Sequence, residues 1–279
     1  MDISIIIAHY CNDKSAPHYN SFLKTINTIQ EQAGNYNVEI IIADDGSNYS
    51  KDIIQKNSKI IEIDNDPRKL FILEDKLLDK WLDTLEIKNK FISKWLYIPK
   101  LTPCMSKARL WNFAALHAKS ECLFFLDDDN YFISSHSIDS INNLSKKYDI
   151  IFGQIKDSSG KFRLYSSNRV QGTTFGLKKQ ILKSIGGFGQ WTEKISCGID
   201  SDLWIKLFNY SKKNNTKACY TNKIQTYDSC SKRWKKYTKI FKDYNARREF
   251  MSLYGIKNYK KVKNNPSRDK SLWIDNLIR

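Results

Sequence analysis

Apolar positions in this chain gather into short runs of strand length, separated by amphipathic or polar stretches. Ile3 to Ala8 and Val38 to Ala43 are two such runs. Between them come a loop containing Pro17 and a helical pattern about Tyr19 to Ala33. Strand, helix, strand at this spacing predicts a βαβ unit with a right-handed crossover, so both strand ends open on one edge of the sheet. A further short strand is predicted at Lys59 to Ile63, and the polar, charged stretch from there to about residue 100 yields no clear element. A helix Ser106 to Lys119 leads into the apolar run Leu123-Phe124-Phe125-Leu126, and Asp149 to Ile155 predicts another strand. Then come Gly172-Thr173-Thr174-Phe175-Gly176-Leu177, a helix about Lys179 to Ile185, the turn Gly186-Gly187-Phe188 and a helix starting near Asp200. After about residue 229 the pattern becomes helical and basic, and no internal repeat or low-complexity linker interrupts the chain.

The run 123–126 carries no charge and reads as a buried strand of a sheet covered on both faces. Directly after it stand Asp127-Asp128-Asp129. Carboxylates at the carboxyl end of such a strand lie where open α/β sheets bind ligands. Three together repel one another unless a positive group holds them. A divalent cation, Mg²⁺ or Mn²⁺, takes oxygen ligands and bridges carboxylate to substrate phosphate. The bland alternative is a solvated acidic turn.

Composition narrows the classes. With 279 residues, 41% hydrophobic and 13% aromatic, the chain has material for one large α/β domain or two small ones. No stretch approaches a membrane span of roughly 20 apolar residues, and Met1-Asp2-Ile3-Ser4 enters a strand rather than a signal peptide. The expectation is a cytoplasmic protein. Cys11, Cys104, Cys122, Cys197, Cys219 and Cys230 stand at irregular spacings beside only four histidines, which suggests neither a zinc site nor a disulfide framework. The net charge is +16, and residues 229–279 hold 15 Lys/Arg against 4 Asp/Glu. That segment also carries Trp234, Tyr237, Phe241, Tyr244, Phe250, Tyr254, Tyr259 and Trp273. Cationic and aromatic groups mixed in this way suit an anionic bilayer at the inner face of the cytoplasmic membrane. Nucleic acid would fit the same description but no binding module for it is recognisable, and a solvated helical face is the structural alternative.

In order along the chain stand Ser4-Ile5-Ile6-Ile7-Ala8-His9-Tyr10, Ile41-Ile42-Ala43-Asp44-Asp45-Gly46-Ser47, Asn112, Leu126-Asp127-Asp128-Asp129, Gly186-Gly187-Phe188 and Gly198-Ile199-Asp200-Ser201-Asp202-Leu203-Trp204. Over about residues 3 to 210 this set resembles glycosyltransferase family 2. The resemblance implies an α/β chain of GT-A type, a Rossmann-like mixed sheet flanked by helices, with a basic helical C-terminal extension. Residues 1–228 would form the transferase domain, nucleotide-binding over about 1–130 and acceptor-binding over about 131–228, and 229–279 the aromatic-rich basic tail.

Site roles follow from the same resemblance. Ala8, His9 and Tyr10 would line the nucleoside pocket, and Asp44 or Asp45 would accept the base N–H. Arg109 and Asn112, three apart on a helix, share a face and would reach the donor; the alternative for Arg109 is a surface arginine. Asp127 and Asp129 would form the Asp-x-Asp motif that holds Mn²⁺ or Mg²⁺ and the diphosphate, Asp127 also reaching toward the ribose, with Asp128 beside the donor or turned to solvent. Asp200 would be the catalytic base, its alternative being a helix cap. Ile199 stands where the family pattern has Glu. Gly187, Phe188, Trp191 and Asp202 would shape the acceptor side, Asp202 more as a structural acid at the helix start. Cys230-Ser231-Lys232-Arg233-Trp234 is only a chance likeness to the Gln-x-x-Arg-Trp motif of polysaccharide synthases.

The implied activity is inverting transfer of a hexose or N-acetylhexosamine from a nucleotide-sugar, a UDP-sugar first, to a hydroxyl of a glycan or glycolipid. Surface polysaccharide, capsule or lipopolysaccharide synthesis is the implied setting. The alternatives are a nucleotidyltransferase that makes the sugar nucleotide, whose Gly-rich basic loop is missing after the first strand, and a non-catalytic basic adaptor for membrane or nucleic acid. Deleting 229–279 is expected to separate them, because an enzyme would still hydrolyse its donor.

Overall fold

A computed structural model describes residues 1–34, 36–88, 90–101, 105–164, 170–229 and 236–278. Cys104 and the Cys230 to Trp234 motif lie outside the described residues.

The amino-terminal half follows the predicted order and fills the stretch that gave no element. β1 (Ile3–His9), α1 (Pro17–Ala33) and β2 (Val38–Asp44) form the βαβ unit, with Pro at the first turn of α1 where its missing N–H leaves no bond unmade. After α2 (Lys51–Asn57) come β3 (Lys59–Glu62), β4 (Lys69–Glu74), α3 (Asp75–Thr84) and β5 (Ile92–Tyr97). α4 (Lys107–His117) then leads to β6 (Cys122–Asp127) and the short β7 (Asn130–Phe132). The second half contains α5 (Ser137–Ser145), β8 (Ile150–Lys156), β9 (Phe175–Lys178), α6 (Lys179–Ser184), α7 (Thr192–Ile195), α8 (Ile199–Asn214) and β10 (Ala218–Asp228). The basic segment is not wholly helical. It holds α9 (Lys236–Tyr254), three 3-10 turns between Val262 and Leu272, and a last strand β11 (Asn276–Ile278).

These strands make one mixed sheet in the order β11-β10-β8-β9-β6-β1-β2-β5-β4-β3, with β7 on β10. β6, β1, β2 and β5 are parallel, so their carboxyl ends share an edge. β9 runs antiparallel between β6 and β8, joining the amino-terminal part of the sheet to the rest. β11 pairs in parallel with β10, so the end of the basic segment completes the sheet.

Alternation along the central strands divides the core. Ile6, Ile41, Leu96 and Phe125 face Trp111 of α4 and Trp204 of α8, while Ile5, Ile7, Ile40 and Ile42 face Phe22 and Ile26 of α1 and Trp81 of α3. The period-two rule then fixes where the residues at the strand ends point.

Candidate functional site

At the carboxyl edge Ala8 lies opposite Ala43 on one side and Asp127 on the other, and these belong to the row facing α4. Ala8, Tyr10 and Asp127 are partly exposed. His9 and Asp44 belong to the opposite row, and both are buried.

Burial decides their roles. The His9 ring stacks on Phe22 at 3.9 Å, with Nδ1 2.9 Å from Asp128 Oδ2 and Nε2 2.8 Å from the Tyr49 hydroxyl. It does not line the open edge with Ala8 and Tyr10, because one residue along a strand changes the face. Asp44 accepts from the Ser47 N–H at 2.8 Å, the Ser50 hydroxyl at 2.8 Å and the Trp95 indole N–H at 3.0 Å. It folds the loop after β2. Asp45 lies one step further, pairs with Lys100 and accepts from the Ser106 N–H at 2.9 Å. Burial raises its pKa, while Lys100 pulls it down. Lys100 also stands 4.4 Å over the Tyr10 ring, so Tyr10, Asp45 and Lys100 form one cluster on the open side.

The three aspartates part company. Asp127 is paired with Lys107, in the first turn of α4, and its N–H donates to Thr173 Oγ1 at 2.8 Å. Asp128 does not turn to solvent. It is 1% exposed, and one of its oxygens receives His9, the Tyr10 N–H at 3.0 Å and His18 Nε2 at 2.7 Å. Asp129 is nearly buried and accepts from Asn130 Nδ2 at 2.7 Å. Ligand atoms of His18, Asp128 and Asp129 lie within 4.8 Å of one another, and Asp127, expected on the metal, is not in this group because Lys107 holds it. The side-chain amide of Asn130, whose Nδ2 binds Asp129, has its oxygen buried with no hydrogen-bond partner among the described residues. Imidazole and carboxylate donors with a free amide oxygen fit a divalent cation of the Mn²⁺ or Mg²⁺ kind. His18 is the residue the sequence did not offer, because its place on α1 is remote from the motif along the chain.

Arg109 and Asn112 do share a face of α4, but that face meets the second half of the chain. Arg109 lies 3.3 Å from Glu193 and 3.6 Å from Asp66, in a network with Arg68. Arg68 brings Asp66 down to about 2. Asn112 donates to the Phe188 carbonyl at 2.9 Å and accepts its N–H at 2.8 Å, clamping the turn. Gly187 in that turn has φ +71°, and a Cβ there would come within 2.5 Å of the Asn112 oxygen. Phe188 is 1% exposed and packs on Trp111 and Phe125 at 5.0 and 5.1 Å, which makes it core rather than pocket. Lys107, not Arg109, is the cation of α4 that reaches the aspartate motif.

Asp200 sits in the first turn of α8, where Oδ1 accepts from the Ser201 N–H at 2.9 Å. It lines a cleft of about 460 Å³ with Val170, Gly198, Asp243, Tyr259, Lys260 and Arg268. Arg268 comes from the basic segment, donates to Ser201 Oγ at 3.1 Å and has its pKa lowered by burial, an effect that the Asp200 charge opposes. Gly172 connects the two parts of the site. Its carbonyl accepts from Lys107 Nζ at 3.3 Å, and a Cβ on it would stand 3.2 Å from the Asp200 Cβ. Asp127 and Asp200 are thus held on either side of Gly172-Thr173. Asp202 is fully buried and accepts from the Gly189 N–H, the Trp191 indole N–H and Lys206 Nζ, each at 3.0 Å, and from the Tyr254 hydroxyl. A carboxylate so fully engaged is an anchor for the Trp191 turn and for α9.

No protein-family model matches the chain, and no curated protein does. Solved structures do. TarS 1–349 of S. aureus superposes with a TM-score of 0.58 at 13% identity, covering 97% of this chain and 72% of that one. The fold is GT-A. The same TarS fragment in complex with UDP-GlcNAc gives 0.58 and 13%, with 98% and 74% covered. The GT-A likeness extends to the mannosyltransferase PcManGT of Pyrobaculum calidifontis in complex with GDP-Man and Mn²⁺, at 0.52 and 13% with 97% and 74% covered. Coverage of nearly the whole chain means that the GT-A superposition takes in the basic segment as well as the sheet.

Proposed function

We propose that this GT-A chain is a metal-dependent inverting glycosyltransferase that moves a sugar from a nucleotide-sugar to a glycan hydroxyl. The observation that carries the reading is the pairing of two acidic stations across Gly172-Thr173, Asp127 with Lys107 on one side and Asp200 in its cleft on the other. Neighbours of the same fold bind UDP-GlcNAc and GDP-Man, which supports a nucleotide-sugar as donor. The cluster of Tyr10, Asp45 and Lys100 would take the nucleoside, with Asp45 rather than the engaged Asp44 facing the base. Lys107 would counter the diphosphate, and Asp127 the ribose. Asp129, with His18 and Asp128, would hold Mn²⁺ or Mg²⁺, whose chemistry is Lewis-acid stabilisation of the departing nucleoside diphosphate.

The acceptor oxygen attacks the anomeric carbon as the bond to the diphosphate breaks on the opposite face. Its proton passes to the Asp200 carboxylate. A single displacement of this geometry inverts the anomeric centre, giving a β-linkage from an α-linked donor. Capsule or lipopolysaccharide assembly is the setting that suits a glycan acceptor. The test is release of free nucleotide from UDP-, GDP- and CMP-sugars with Mn²⁺, with and without EDTA. Release from one donor that EDTA abolishes, and that Asp129→Ala and His18→Ala weaken together with Mn²⁺ affinity, is the expected result. Neither turnover nor metal-dependent nucleotide binding across the panel would overturn the reading.

A further inference from the structure

The two faces of α9 are made differently. Ala246 and Phe250 are fully buried, with Phe250 stacked on Tyr259 at 4.1 Å and set 5.1 Å from Trp191. Tyr254 adds the bond to Asp202. At about 100° per residue, Ile240, Tyr244, Arg247, Arg248 and Met251 project into one outward sector with Phe241 at its border. Ile240 is 61% exposed, Phe241 72%, Tyr244 66% and Met251 52%, and both arginines are exposed. Large apolar groups left open together on a helix mark a contact surface rather than an accident of packing.

Charge selects the occupant. Residues 229–279 carry 15 Lys/Arg against 4 Asp/Glu. A second copy would present the same cationic surface and be repelled. An anionic bilayer satisfies both properties at once, since the apolar groups enter the headgroup boundary and the arginines remain at the phosphates. The helix is also a wall of the candidate active site. Its Asp243 lines the cleft of Asp200, and its Phe250 ring lies 3.1 Å from where a Cβ on Gly198 would stand.

We propose that the outer face of α9, built on Ile240, Phe241, Tyr244 and Met251 with Arg247 and Arg248, docks the protein on an anionic bilayer, bringing the Asp200 cleft to the membrane surface. The acceptor class is then a lipid-anchored glycan, a conclusion that rests on the transferase reading of that cleft. Vesicle co-sedimentation of the whole chain tests it, with phosphatidylglycerol-containing and pure phosphatidylcholine vesicles. The expected result is binding to the anionic vesicles only, weakened by salt. Ile240→Ser with Phe241→Ser, and separately Arg247→Glu with Arg248→Glu, should each lower partitioning by roughly tenfold or more. Melting temperature and donor hydrolysis in solution should stay unchanged, because none of the four substituted residues is among the described residues that line the cleft. Failure to bind anionic vesicles, or binding that both double variants leave intact, overturns the docking. So does a concentration-dependent dimer, or retention on RNA, that the same variants abolish without any vesicle binding. Vesicle binding by a chain that turns over no donor would support the docking and remove only the acceptor class.

Discussion

Two aspartates two positions apart on α8 have opposite circumstances. Asp200 opens on a cleft, whereas Asp202 is sealed among four donors from Gly189, Trp191, Lys206 and Tyr254. Asp200→Asn should therefore keep the melting temperature and lower kcat by ~10²- to 10⁴-fold, the usual contribution of a general base. Asp202→Asn leaves Lys206 without its buried partner and should destabilise by about 3–5 kcal/mol, read as a loss of melting temperature. Equal effects of the two substitutions on stability would contradict the assignment. Lys270 provides a pH signature. It is 4% exposed, with its ammonium 4.6 Å over the Tyr220 ring, and burial lowers its pKa to about 8. Between about pH 8 and the ordinary lysine value of 10.5 the unfolded chain binds the extra proton, so stability rises with pH across that window and is lowest below it. Denaturation midpoints at pH 7 and pH 9.5 should differ in this direction, and Lys270→Met should flatten the rise.

At the scale of elements, a small aromatic cluster attaches α9 to the turn before α7, while Ile205 and the Tyr254–Asp202 bond tie it to α8. Phe250→Ala removes a fully buried ring between Trp191, Tyr254 and Tyr259, and should cost about 3–5 kcal/mol of local stability. Hydrogen exchange should then quicken in α9 and at the start of α8, while β1 and β2 remain protected. The elements most legible in the sequence were those with a single strong period, such as β1, β2, α1 and β6. β4 and β5 are hard to read in the sequence because Lys69 and Glu74 cut the apolar run of β4 to four residues and Lys94 interrupts that of β5, where it pairs with Glu74 across the two strands. β10 was missed as a polar segment, because Thr221 and Thr226 are buried and satisfied by neighbouring strands. The aspartate motif and Asp200 could be read from local pattern. The parts contributed by Lys107, His18 and Arg268 could not, since each reaches the site from a helix or turn whose approach only the tertiary arrangement sets. Likewise Arg109, Asn112 and Phe188 carry the expected identities, but their partners, Glu193, the Phe188 backbone and Trp111 respectively, draw them into packing.

For the whole molecule, the basic segment is a structural member. It supplies β11 to the sheet, Arg268 beside Asp200 and Phe250 beneath the start of α8. Removing residues 229–279 was expected to leave donor hydrolysis intact; instead the truncated chain should melt at a lower temperature, expose apolar surface and lose turnover. A truncated protein with full stability and full hydrolysis would show that the segment is dispensable. Among the described residues no helix is long and apolar enough to cross a membrane.

The pairing of β1 with β6 sets Ser4 opposite Leu123, and that of β10 with β11 sets Cys219 opposite Asn276. Both ladders join segments far apart in sequence, and the first lies at the centre of the sheet. Chains of such high contact order fold on the slow side, in milliseconds to seconds or longer, because loop-closure entropy is lost before the pairing is gained. The edge that carries Ala8 and Asp127 cannot exist before β6 has found β1. Catalytic competence should therefore appear late during refolding, and a chain arrested before that step would expose the uncharged run 123–126 to association with its own kind.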